Sequence, residues 1–167
     1  MGNTRSTLAA FVMLVLPLNA KASKIENDQI IEAAKALGAK DPHLVLAIVE
    51  RESRGSAKAV YPIRAPSSYG LMQLKYQTAK AMGFVGPVTE LYEWRKNLQY
   101  GVRYLDYQLD RYDGDIRKAV SAYNAGHAKY RKDRKGFINQ SYVDYVLQAY
   151  ARYRSIYITP AGLAWET

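Results

Sequence analysis

Asp41-Pro42-His43-Leu44-Val45-Leu46-Ala47-Ile48-Val49-Glu50-Arg51-Glu52 is the stretch on which the fold turns. Aspartate followed by proline opens a helix: the carboxylate caps free amides, and proline stands where no amide hydrogen is needed. Leu44, Val45, Ile48 and Glu52 then share one stripe at helical spacing. The flanks read the same way. Upstream, Asn27 to Leu37 places Ile30, Ile31, Ala34 and Leu37 inward, with Gly38 as its stop. Downstream, Arg54 to Ser68 reads as a loop with Gly55, Pro62 and Pro66, and a short helix follows the Gly70 turn through Met82. Asn97 to Tyr112 is expected as the longest helix, with Leu98, Val102, Leu105, Leu109 and Tyr112 recurring at three- and four-residue steps. Asp115 caps a helix that ends near Gly126, and Ser141 caps a last one through Arg154, with Tyr142, Val146, Ala149 and Tyr153 on one face. No stretch reads as a strand series. The expectation is a compact all-α domain over residues 23–154, with a patternless tail over 155–167.

Composition bounds the chemistry. The 167 residues have 49% hydrophobic content, too much for a disordered chain, and about 145 residues suffice to bury roughly 68–70% of the unfolded surface. No cysteine is present, which excludes disulfides, a thiol nucleophile and thiolate metal sites. Fifteen tyrosines against three phenylalanines imply surfaces that are half apolar and half hydrogen-bonding. The net charge of +9 admits nucleic acid, an anionic membrane or an anionic polymer as partner. The N-terminus chooses among them. Arg5, the apolar run Leu8 to Leu18 and Ala20-Lys21-Ala22 have the order of a secretory signal peptide, residues 1–22. The run is too short for a bilayer span of about 20 residues. Removal of Arg5 and Lys21, with no acid, would lower the charge to +7. Export to the periplasm or cell envelope argues against nucleic acid as a partner and against stable membrane insertion after cleavage.

Glu52 is the first residue that asks for chemistry. It lies one turn beyond Ile48 on the apolar stripe, at the C-terminal end of its helix. Burial and the negative end of the helix dipole both disfavour its charged form. A carboxyl group with a raised pKa is what a general acid needs near neutral pH. A helix-end ion pair with Arg51 or Arg54 is the plainer alternative.

Two further segments bear on that choice. Ser68-Tyr69-Gly70-Leu71-Met72-Gln73-Leu74 follows Glu52-Ser53, and Ala122-Tyr123-Asn124-Ala125-Gly126 comes about fifty residues later. In this order, with Asn97-Leu98, Gly101, Tyr104-Leu105 and the late Tyr142-Val143, they resemble the soluble lytic transglycosylase (SLT) family, whose fold is lysozyme-like. The resemblance spans roughly residues 40–153. It implies cleavage of peptidoglycan strands between N-acetylmuramic acid and N-acetylglucosamine, with Glu52 as acid and then base. The muramoyl C6 hydroxyl closes onto C1, so a 1,6-anhydro end forms and no water is consumed. The chain fits one-carboxylate chemistry. A two-carboxylate glycosidase sets its acids about 5–5.5 Å or about 6.5–9.5 Å apart, yet no Asp or Glu lies between Glu52 and Gln73. Asp106, Asp110 and Asp113 read more simply as a solvated face.

By the same resemblance Gln73 hydrogen-bonds sugar, unless its amide only stabilises the turn. Tyr123 aims its hydroxyl at the catalytic glutamate. Asn124 stands beside it or simply ends its helix, and Tyr142 lines the groove. Met72 is a substrate-side candidate that reads more simply as core packing. Ser53 reads as structural. Tyr100, Tyr104 and Tyr107 read as core. No metal or other cofactor is expected, and His43 and His127 read as surface residues. The chain also departs from the family. Tyr61 stands where a serine is usual, leaving Ser67 or Ser68 to supply that hydroxyl. Leu74 is followed by Lys75 and Tyr76 rather than methionine and proline, Ile138 replaces a glutamate, and His127 replaces a proline. Lys129, Arg131, Lys132, Arg134 and Lys135 against Asp133 form a loop of local charge +4. Small size fits a monomeric wall-remodelling accessory to a secretion, conjugation or pilus apparatus. A hydrolysing goose-type muramidase, a non-catalytic wall-binding assembly protein and a membrane-active basic protein are the alternatives.

Overall fold

The computed structural model describes residues 24–61, 67–133 and 135–158. Asp41 starts the central helix as expected: its Oδ1 accepts from the amides of His43 and Leu44, both at 3.0 Å. That helix, α2 (Pro42–Ser53), follows α1 (Asn27–Ala36). Leu44 through Val49 are all buried, so α2 is apolar all round, as a helix enclosed by others must be. Arg54 then leaves the helix in the left-handed conformation, φ 54°.

The expected loop after α2 contains a minimal hairpin, β1 (Val60–Tyr61) paired antiparallel with β2 (Ser68–Tyr69), Val60 facing Tyr69 and Tyr61 facing Ser68. Then come α3 (Tyr76–Ala81), a 3-10 turn over Val88–Tyr92, α4 (Trp94–Arg111), α5 (Ile116–Ala125) and α6 (Gln140–Ile158). Asp115 caps α5 through the Lys118 amide at 3.0 Å, and Gly126 ends it at φ 80°, both as expected.

Several boundaries differ from expectation. The long helix α4 begins three residues early, at Trp94, and α6 exceeds it at 19 residues. Ser141 lies inside α6 rather than capping it, and the expected tail is helical over residues 155–158. Tertiary contacts hold that last turn: the Tyr157 hydroxyl donates to Asp28 at 2.6 Å, and its ring lies 5.9 Å from that of His43. His43 is therefore half-buried rather than a surface residue, while His127 is exposed. Tyr107 is also exposed, not core. The expected signal peptide and residues 159–167 lie outside the described residues.

Among the described residues two apolar clusters form. The larger joins α1, α2, α4, α5 and α6 around Ile30, Leu44, Ile48, Leu98, Leu105 and Val146. The smaller, Leu74, Ala79, Phe84 and Leu91, belongs to the hairpin side of the molecule and packs with Tyr100 and Tyr104 of α4. A cleft of about 800 Å³ opens between the two sides. No helix among the described residues is long and apolar enough to cross a membrane.

Candidate active site

The end of α2 is fixed from outside. The Ser53 hydroxyl donates to the Leu71 carbonyl at 2.7 Å and tethers the helix to the Gly70–Gln73 turn. Gly55 follows at φ 84°, where a Cβ would meet the Ile25 carbonyl at 2.9 Å. Glu52 is thereby held at the cleft wall, half-buried, accepting one hydrogen bond from the Tyr142 hydroxyl at 2.6 Å. Burial pushes the Glu52 carboxyl above its ordinary 4.5, and the Tyr142 hydrogen bond and the Arg51 guanidinium only partly pull it back. The helix terminus acts in the same direction as burial. Burial and the facing carboxylate drive the Tyr142 phenol well above its usual range, so it stays a donor. Arg51 lies over the rings of Tyr142 and Tyr145, 5.3 and 5.5 Å from their centroids.

The opposite wall depends on a tight turn. Gly70 is at φ 74°, and a Cβ there would meet the Leu91 carbonyl at 2.3 Å and the Asn97 side chain at 2.4 Å. Asn97 is fully buried and knits the turn: its Oδ1 accepts from the Met72 amide at 2.7 Å, and its Nδ2 donates to Tyr69 and Leu91 carbonyls, both at 2.8 Å. Gly101 admits Met72, whose sulfur a Cβ would meet at 2.2 Å. Gln73 stands at φ 48°, its Nε2 donating to the Ala59 and Gly70 carbonyls at 2.9 Å each. That is the turn-stabilising role. It leaves Oε1 as the acceptor the residue brings to the cleft it lines.

Glu52, Gln73, Tyr123, Asn124 and Tyr142 all line the cleft, with Arg51, Tyr61, Ser67, Ser68, Lys75, Thr78 and Tyr104 among their neighbours. Two expectations are corrected. Met72 has no exposed surface and packs in the core, so its side chain is not a substrate contact. Tyr123 does not hold the glutamate: its hydroxyl donates to the Met72 carbonyl at 2.9 Å, and Tyr142, across from the end of α2, makes the bond to Glu52. Tyr123 is close enough that the Glu52 charge helps burial raise its phenol pKa. Asn124 accepts from Asn139 Nδ2 at 2.9 Å.

Asn139 is a residue that sequence reasoning missed. It also donates to the Ser121 carbonyl at 3.0 Å and accepts from the Ser121 hydroxyl at 2.8 Å. It joins α5 to the start of α6 one turn before Tyr142. In the sequence Asn97 belongs only to a pattern, and its amide at an inward position is the one sign of a knitting role.

Glu52 is the only carboxylate among the described residues that line the cleft. Asp106 and Asp110 face Lys40 instead: Asp106 accepts from the Lys40 amide at 3.3 Å, and Asp110 pairs with its ammonium. Asp106 is half-buried rather than solvated, and burial raises its pKa. Among the described residues no group of three or more His, Asp or Glu is placed to hold a metal ion.

The helical fold is lysozyme-like, and its cleft carries one carboxylic acid among the described lining residues. The chain belongs to the Transglycosylase SLT domain family, whose profile matches residues 29–145. It is 39% identical over 98 residues to a protein of Enterobacteria phage PRD1 named "Transglycosylase", covering 59% of this chain and 34% of that protein. Its fold is similar to the lytic transglycosylase Slt of Pseudomonas aeruginosa, solved as an inactive glutamate-to-glutamine mutant, and to the 70 kDa soluble lytic transglycosylase of Escherichia coli. For each the TM-score is 0.63 and the identity 21%, over 81% of this chain and 25% of the other. The chain thus spans about a third of the phage relative and a quarter of each solved structure.

Proposed function

We propose that this domain is a peptidoglycan lytic transglycosylase acting in the cell envelope, with Glu52 as its single acid and base. The observation that carries the reading is a half-buried carboxyl of raised pKa, held by one phenol, with no second carboxylate among the described cleft residues. A protonated Glu52 gives its proton to the glycosidic oxygen as the bond to the muramoyl C1 breaks. The carboxylate so formed takes the proton of the C6 hydroxyl as that oxygen bonds C1. Atoms balance without water, and a 1,6-anhydro end results. One carboxylate in place of the two of an ordinary glycosidase fits an internal nucleophile of this kind. Tyr142 and Arg51 stabilise the carboxylate between its two proton transfers, because each favours the charged form.

Gln73, Asn124, Tyr123 and the hydroxyls of Ser67, Ser68 and Thr78 supply polar contacts for sugar along the walls, the serines standing in for the one that Tyr61 displaces. The Slt relative named as an inactive glutamate-to-glutamine mutant supports a glutamate acid in this fold. A phage relative named "Transglycosylase" supports the same class of reaction, and in this reading the domain opens the wall locally for a secretion, conjugation or pilus apparatus. Mass spectrometry of fragments released from purified sacculi tests the reading. Anhydro-muropeptides are expected. Reducing muramic ends would overturn it in favour of a hydrolysing muramidase.

A further inference from the structure

The cleft carries an unanswered positive charge. Among the described residues two cations line it, Arg51 and Lys75, against the one carboxylate of Glu52. Arg51 is engaged, stacked over Tyr142 and Tyr145 and acting on Glu52. Lys75 is exposed on the opposite wall, and among the described residues no carboxylate pairs with its ammonium. Its backbone is nonetheless fixed. Leu74, just before it, exchanges both backbone hydrogen bonds with Tyr69 at 2.9 and 3.0 Å, and the Lys75 carbonyl accepts from the Ala79 amide at 3.0 Å. The charge is therefore anchored at one place on the wall and swings only as far as its side chain allows.

This inference rests on the cleft taking a muramoyl glycan. The sugar rings of such a strand are neutral. Its negative groups are carboxylates on the muramoyl substituent: the lactyl carboxylate where the strand is bare, and those of the stem peptide where it is substituted. A polymer of N-acetylglucosamine alone has neither. We propose that Lys75 pairs with a carboxylate on the muramoyl substituent, so that the cleft selects muramoyl strands over neutral N-acetylglucosamine polymers by charge. Lys75 is here a specificity-determining residue and takes no part in proton transfer.

Binding to the Glu52→Gln protein tests this without turnover. Calorimetric titration would use three tetrasaccharides: muramoyl with stem peptide, muramoyl with free lactyl groups, and N-acetylglucosamine alone. A partly exposed charge pair is worth up to about fivefold in affinity. Adding Lys75→Gln is expected to reduce the preference for the carboxylate-bearing ligands over the neutral one by about that factor. Lys75→Arg should keep the preference, and about 0.5 M salt should narrow it. Whichever muramoyl ligand loses its advantage identifies the carboxylate. An equal loss for all three ligands, no loss, or no preference at the outset would overturn the inference. Failure of wild-type protein to release anhydro ends, with the binding difference intact, would sink the proposed activity and leave the charge selection standing.

Discussion

Glu50 and Glu52 stand two residues apart in the last turn of one helix, under the same helix dipole, and they are opposite acids. Glu50 accepts from three donors on α6: Tyr145 at 2.9 Å, Arg152 at 2.5 Å, and Tyr153. Burial alone would raise its pKa, but the Tyr153, Arg152 and Tyr145 bonds outweigh it and hold the carboxyl below its ordinary 4.5. Among the described residues Glu52 has one donor, and burial wins. The helix end does not make an acid. Deeper burial at Glu52 and the larger set of α6 donors at Glu50 together separate a carboxyl of raised pKa from an anchored one of lowered pKa. Elsewhere α6 repeats the anchoring pattern, Tyr150 donating to Asp41 and Tyr157 to Asp28. Five of the fifteen tyrosines are thereby accounted for, as hydroxyl donors to carboxylates of α1, α2 and the α2 cap.

The contrast can be broken at each partner. Glu52→Gln should lower turnover on sacculi by about three orders of magnitude, the middle of what general acid–base catalysis contributes. Circular dichroism should show the helices intact. Full turnover in this variant would place the acid elsewhere.

Tyr142→Phe should cost about tenfold in kcat/KM, because Glu52 loses the group that orients it. The same change raises the Glu52 pKa, since the phenol favours the carboxylate. The alkaline limb of the pH–rate profile, where the protonated acid is lost, should move to higher pH. A move to lower pH would contradict the assigned hydrogen bond.

Glu50→Gln should act on stability instead, lowering it by about 1–2 kcal/mol in urea unfolding at pH 7. The sign follows from linkage. A depressed folded pKa contributes stability that is complete above the unfolded value, near 4.5, and is lost as pH falls through the folded value below it. The difference between Glu50→Gln and wild type should therefore shrink on acidification. Glu52, raised in the folded state, has the reverse sign: its ionisation weakens the fold as pH rises past 4.5 through the raised value, so Glu52→Gln should melt higher than wild type at neutral pH.

Asn139→Ala should have the smallest effect, about 1 kcal/mol of stability and a few-fold rise in KM, as the α5–α6 joint beside Asn124 loosens.

What the sequence announced was local. Asp41 and Pro42 start α2 because cap chemistry lies within four residues, and Glu52 reads as desolvated because helical spacing places it after Ile48. What stayed hidden was long-range or too short to repeat. The partner of Glu52 lies 90 residues away, and two aligned tyrosines compete for the role; only the docking of α6 on α2 decides for Tyr142. The two-residue strands have no period to detect. The last turn of α6 leaves Ile156 and Ile158 exposed, so its helical state depends on Tyr157 reaching Asp28 rather than on an apolar stripe. The cleft itself was partly legible: Gly70 marks the turn, but the amide of Asn97 that holds it is an inward polar residue with no local explanation.

The sorting of the two carboxyls is most directly measured by carbon-13 NMR titration of the glutamate side chains in the wild-type protein, with Glu50→Gln and Glu52→Gln used to assign the two signals. Glu52 should titrate above 4.5 and Glu50 below it. Equal midpoints, or Glu52 ionising before Glu50, would contradict the account.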